Sequence, residues 1–212
     1  MSRPAPDLDH LIYVVPDLDA GLSGLATRLG VVPTRGGRHP DYGTRNALVS
    51  LGGDTYLEIM GPDPEASGFS GRRPFDLDRL ETGKLVTWVA KAGHLEERRA
   101  RARDRGIDLG EIVPGRRQRP DGSEVTWKTL GLDLFDPPES GLVPFLIDWG
   151  QSPHPGTTSV GGCRLVAFHG EHPDPARVRK RLDALGVEFE IREGPVPRLR
   201  AELDTPRGPV VL

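Results

Sequence analysis

The sequence predicts an α+β fold: paired β-α-β-β-β modules forming a cup-shaped mixed sheet, with a third, partial β-α-β-β unit at the C-terminus. Three observations predict it. The 212-residue chain repeats one order of signals three times: an apolar strand, a turn, about a dozen helical residues, a glycine and a second strand. Its 27 glycines and 21 prolines separate short apolar runs that recur throughout, which reads as many turns rather than disorder. One such unit covers a single face of a curled sheet with its helix, so two units side by side close their open faces on a cavity.

The first module, residues 1–62, begins with "HLIYVV" at 10–15, a β-branched and aromatic strand that Pro16 ends. Asp17 or Asp19 N-caps the next helix, Leu22, Leu25 and Leu29 give it one apolar stripe, and Gly30 suits its C′ position. "VVPT" at 31–34 reads as the second strand, and "NALVSLGGDTYLEIMGP" as two more joined at Gly52-Gly53. A connector, 63–83, carries "RRPF" at 72–75 as a solvated stretch. The second module, 84–150, opens with "KLVTWVAK". Its charged helix, "HLEERRARARDRG", covers the sheet with alanines and arginine stems and ends at Gly106. "IDLGEIV" reads as its second strand, "GRRQRPDG" at 115–122 as a basic hairpin loop, either solvated or capturing an anionic substrate, and "EVTWKTLGL" and "GLVPFLIDWG" as its last strands. A proline-rich linker, 151–162, includes His154. The third unit, 163–212, has its helix N-cap at Asp174, Pro175 in the first turn, a Val178, Leu182, Leu185 stripe and Gly186 at the end. It is expected to cover an exposed sheet edge, with structural or neutral roles for Cys163, His169 and His172.

Charge and cysteine content narrow the function. With 28 basic and 31 acidic residues the net charge is -3, which makes no electrostatic case for a nucleic-acid or membrane partner. The N-terminal stretch has no apolar signal region, and no run approaches the roughly 18 apolar residues of a membrane span. Cys163 is the single cysteine, so an internal disulfide and a zinc site built on several thiolates are both ruled out. The expectation is a cytoplasmic protein, monomer or homodimer, whose partner is a small molecule.

His10 stands at the mouth of the first strand, either satisfied by neighbours or aimed into a cavity as a ligand or acid/base group. Alternation in "TYLEIM" faces Glu58 toward the cavity and Leu57 and Ile59 toward the helix-covered side. In "HPDYGTRNA", His39 is a pocket residue or a solvated turn residue. Tyr42, Thr44 and Asn46 alternate into the strand as candidate substrate contacts, with Arg45 pointing the other way. Trp127 and Trp149 sit on strands of the second sheet, as pocket lining or as core.

The paired modules, "LDHLIYVVPDLDAG", "HPDYGTRNALVSLG", "TYLEIMGP" and "VPFLIDWG" together resemble the vicinal oxygen chelate superfamily and, within it, the glyoxalase-like domain group. The resemblance covers roughly residues 8–150. It implies a divalent metal, zinc, manganese, iron, nickel or cobalt, held in the cup by one ligand from the first and one from the last strand of each module. Carried over, module one supplies His10 and Glu58. Module two departs from the pattern: the matching positions are Thr87 or Trp88, and Ile147, with Asp148 one step off. Either fewer protein ligands hold the metal, with His39 or Asp148 contributing, or there is no metal. The resemblance thus implies a metal-dependent lyase, isomerase or ring-cleaving oxygenase on a small oxygen-rich molecule, with Glu58 or His39 as base. The alternative is a metal-free binding or sequestration protein.

Overall fold

The computed structural model describes residues 5–119 and 121–212; residues 1–4 of the first module and Pro120 of the basic hairpin lie outside them. The first module forms β1 (Leu8–Val14), α1 (Leu18–Leu29), β2 (Thr34–His39), β3 (Thr44–Gly52) and β4 (Thr55–Pro62). The second forms β5 (Lys84–Lys91), α2 (Leu95–Asp104), β6 (Val113–Gln118), β7 (Glu124–Leu130) and β8 (Phe145–Asp148). These eight strands close into one curled mixed barrel in the order β1-β4-β3-β2-β6-β7-β8-β5. In each half the first strand runs parallel to the last, β1 with β4 and β5 with β8. The halves meet along two seams. The β1–β5 seam is antiparallel, with Ile12 opposite Thr87 near its middle, whereas the described residues of β2 and β6 share one pair, Arg38 opposite Gln118.

Local signals explain the helices. Asp17 caps α1 by accepting from the Ala20 amide at 2.9 Å, and Gly30 ends it with φ +76°. Leu18, Leu22, Leu25 and Leu29 form its buried stripe, packed against Leu57 and Ile59 of β4 in the main core. The Glu58 side of the same strand therefore faces the barrel interior. Helix α2 has no side-chain cap and buries only Leu95 and Ala102.

Two strands differ from the sequence expectation. β2 begins at Thr34, where "VVPT" ends, and Val32 is 77% exposed. β6 begins at Val113 and runs through the arginines of the expected basic loop. Gly37 lets β6 approach closely, since a Cβ there would lie 2.1 Å from the Gln118 carbonyl oxygen, and Gly36 leaves room for the Asn46 side chain of β3, whose Oδ1 would lie 2.2 Å from a Cβ. The stretch "RRPF" also differs, because Phe75 is buried and Pro74 lines the barrel cavity.

The C-terminal unit adds β9 (Arg164–His172), α3 (Pro175–Leu185), β10 (Ile191–Glu193), β11 (Arg198–Thr205) and β12 (Gly208–Val211). It has one more strand than the expected β-α-β-β order, although β10 is only three residues long. Its separate sheet runs β10-β9-β11-β12. That sheet packs on a face of the barrel rather than an edge: Phe168 and Phe189 meet the fully buried Trp88 ring, at centroid distances of 5.6 and 4.6 Å. No helix among the described residues is long and apolar enough to cross a membrane.

Candidate active site

The barrel interior holds a cavity whose space for the centres of water-sized molecules is about 80 Å³. The two halves contribute differently. The first supplies the polar groups, His10, His39, Thr44, Asn46, Tyr56 and Glu58. The second supplies an apolar wall of Trp127, Phe145, Ile147 and Trp149, with one cation, Arg117.

His10 is placed by a break in its own strand. Neighbouring residues on a regular strand face opposite sides, yet Asp9 Oδ1 lies 2.7 Å from His10 Nδ1. The β1–β5 register shifts between Leu8 and His10, and Asp9 occupies this bulge, which swings its carboxylate to the histidine. Asp9 Oδ2 also accepts from Trp149 Nε1 and His154 Nε2, both at 3.0 Å, while His154 Nδ1 accepts from the Gly156 amide. His154 is therefore part of the site's support, not merely linker. On its other side, His10 stacks on Tyr56 at 4.5 Å and directs Nε2 to Glu58 Oε2, 3.4 Å away.

Burial alone would lower the His10 pKa. Hydrogen bonds with Asp9 and Glu58 and their charges outweigh it and raise it to about 8. Burial works to raise Glu58, but His10, His39 and Asn46 prevail and hold it at about 2. Asn46 Nδ2 donates to Glu58 Oε1 at 2.5 Å. Asp9 is likewise held well below the usual carboxylate range, burial being outweighed by His10 and His154. At neutral pH the row is ionised: Asp9 and Glu58 negative, His10 positive between them.

His39 ends β2 opposite Thr44, its Nδ1 3.1 Å from Thr44 Oγ1 and its Nε2 3.9 Å from Glu58 Oε1. Burial, helped by the Arg117 charge, lowers its pKa to about 4, so this histidine is neutral. Tyr42, on the short turn after β2, also lines the cavity. Arg45 points outward to Asp19, as the alternation requires. Trp127 and Trp149 pack together at 5.3 Å on the opposite wall.

Asp148 does not join this group. It lies in an outer groove with Lys128 and Gln151, its Oδ1 accepting from the Gly150 amide, while the flanking Ile147 and Trp149 line the cavity. Thr87 donates to the Gly141 carbonyl oxygen. No group of three or more His, Cys, Asp or Glu among the described residues is arranged to hold a metal ion. The donors His10 Nε2 and Glu58 face each other, with Asn46 on the other Glu58 oxygen, the facing wall is apolar, and a guanidinium shares the chamber. This donor set does not fit a divalent ion.

Asp9 and Tyr56 escape the sequence reading, which places His154 in the linker and Arg117 in the basic hairpin loop, with anionic-substrate capture as that loop's alternative role. Arg117 carried a usable signal: "RPDG" at 119–122 is a tight-turn sequence, so the residues before it can be a strand of the same hairpin as "EVTWKTL". Asp9 carried none, because a bulge has no mark in this sequence.

Comparisons with known proteins agree with the architecture. The family model for the glyoxalase-like domain matches residues 8–186. No curated protein matches the chain. A hypothetical protein from Staphylococcus aureus shares the fold at 16% identity and a TM-score of 0.63, over 96% of this chain and 83% of its own. Two methylmalonyl-CoA epimerases are more distant. The enzyme from Mycobacterium tuberculosis is 20% identical with a TM-score of 0.46, over 69% of this chain and 89% of its own. That from Streptomyces coelicolor is 19% identical with a TM-score of 0.47, over 73% and 99%.

Proposed function

Because the chain belongs to the glyoxalase-like domain family, we propose that it is a lyase or isomerase that moves a proton on a small oxygen-rich molecule in the barrel cavity, using side chains rather than a metal. One observation carries the reading: Glu58 lies within 4 Å of both His10 and His39, in a cavity closed on its other side by aromatic and aliphatic walls. Perturbed titratable groups converging in a mostly apolar chamber are what acid/base chemistry requires.

The His10–Glu58 pair is the proton acceptor. At rest the proton sits on His10, and its charge suppresses the basicity of Glu58. When His10 releases that proton to solvent, the carboxylate gains basicity, so the two titrate as one unit. Glu58 then takes a proton from a carbon next to a carbonyl. The electron pair moves to the carbonyl oxygen, giving an enolate-like intermediate. With Thr44 donating to Nδ1, neutral His39 carries its proton on Nε2 and donates it to that oxygen. Return of the proton to a neighbouring carbon completes an isomerisation, and expulsion of a leaving group completes an elimination. Asp9 keeps the His10 ring oriented throughout.

The test is solvent deuterium exchange into a panel of small α-oxygenated carbonyl compounds, followed by proton NMR. Wild type should exchange one position in at least one compound. Glu58→Gln should slow that exchange by about a hundredfold or more while retaining the fold. An unchanged rate in the variant would refute the assignment. Tight binding without exchange in the wild type would favour the sequestration reading, which the aromatic wall supports.

A further inference from the structure

We propose that Arg117 makes the cavity selective for small monocarboxylates. This rests on the acid/base reading of the same cavity and adds the charge that the substrate carries. Arg117 is only 5% exposed and lines the chamber from β6. Its guanidinium is poorly satisfied there: Nη1 reaches Asn46 Oδ1 at 3.4 Å, and Nε has no hydrogen-bond partner. A buried charge in that state is costly unless something else completes it.

The residues around it do not. Asn46 is neutral and gives its amide hydrogens to Glu58, and Glu58 is held by His10 and Asn46. The planar fork of an arginine matches a carboxylate with two parallel hydrogen bonds. Among the described residues the other cation facing the chamber, His10, stands between Asp9 and Glu58. With Asp9 and Glu58 negative and His10 and Arg117 positive the ionised groups of the site balance, so a guest with one negative charge disturbs that balance less than a phosphate dianion does. The cavity is small, about 80 Å³ for the centres of water-sized molecules, which suits a short-chain acid rather than a bulky one. The fold also reserves room for the side chain, because a Cβ on Gly36 would come within 3.0 Å of Arg117 Nη1.

The test is titration of wild type, Arg117→Met and Arg117→Lys with propionate, propionamide and phosphate, followed through the indole N–H signals of Trp127 and Trp149. Wild type should bind propionate about tenfold or more tighter than propionamide or phosphate. Arg117→Met should lose that discrimination, and Arg117→Lys should keep part of it. If Arg117→Met fails to fold, the wild-type comparison and the lysine variant still decide. Equal binding of propionate and propionamide would overturn the proposal, as would preference for phosphate or unchanged propionate affinity in Arg117→Met. So would the absence of propionate binding up to about 50 mM. The readout is independent of turnover: carboxylate binding without deuterium exchange leaves this inference standing and removes the acid/base reading, and the reverse result does the opposite.

Discussion

Replacing His39 with glutamine should flatten the acid side of the protein's stability profile. In the folded chain His39 is buried with a pKa of about 4, against 6.5 for an ordinary histidine. Between those values the unfolded chain binds a proton that the folded chain does not, so stability falls as pH falls. At about 1.4 kcal/mol per pH unit, His39 removes about 3 kcal/mol between pH 6.5 and 4. His10 acts in the opposite sense. Its folded pKa of about 8 lies above 6.5, so its contribution of about 2 kcal/mol is complete below pH 6.5 and disappears as pH rises through 8. Glu58 and Asp9 are depressed, so their contributions are present above their ordinary values and are lost only at more acid pH, for Glu58 between 4.5 and about 2. The two histidines together place a stability maximum near pH 6.5. Urea unfolding from pH 4 to 9 measures it for wild type, His39→Gln and His10→Asn. The first variant should lose the acid slope, keep the alkaline one, and differ from wild type by about 3 kcal/mol across the acid limb. The second should lose the alkaline slope. An acid limb in His39→Gln parallel to that of wild type would refute the reasoning.

Two further outcomes follow from the site's supports. Asp9→Asn removes the charge shared by His10, Trp149 and His154. It should cost about 3 kcal/mol at neutral pH, and an NMR titration should find the His10 pKa lower than in wild type. Gly36→Ala forces a Cβ to within 2.2 Å of Asn46 Oδ1. It should cost about 1–3 kcal/mol in chemical unfolding and weaken propionate binding, because Asn46 and Arg117 must both shift.

The parts of the fold that were legible in the sequence are those where one face is apolar and the other is not. The α1 leucines, the caps at Asp17 and Asp174 and the Leu57, Glu58, Ile59 alternation all mark a boundary between core and something else. β2 and β6 gave no such mark. Their sequences, "TRGGRH" and "VPGRRQ", face solvent on one side and send polar side chains such as His39 and Arg117 into the chamber on the other, so hydrophobic periodicity is silent and the nearby valines and isoleucines attract the assignment instead. The same silence assigns Arg117 to a loop rather than to a strand facing the chamber. His10, Glu58, His39, Tyr42, Thr44 and Asn46 were found because they cluster in short motifs, and the structure brings all six to one cavity. Asp9 and His154 lie 145 positions apart, and only the bulge in β1 makes them neighbours.

The unequal contributions of the two halves also bear on how such a protein can change. One strand set carries the proton-handling equipment, and the other carries the surface that shapes the guest. Residues such as Phe145 and Ile147 hold no hydrogen bond of the ionised row, so the contour of the chamber can be recut there without breaking one of its bonds. Trp149 is the exception, since its indole is tied to Asp9 and a change there alters fit and protonation together. A barrel built this way can acquire new guests by drift in one half while the other stays fixed, with a single indole marking where the two become inseparable.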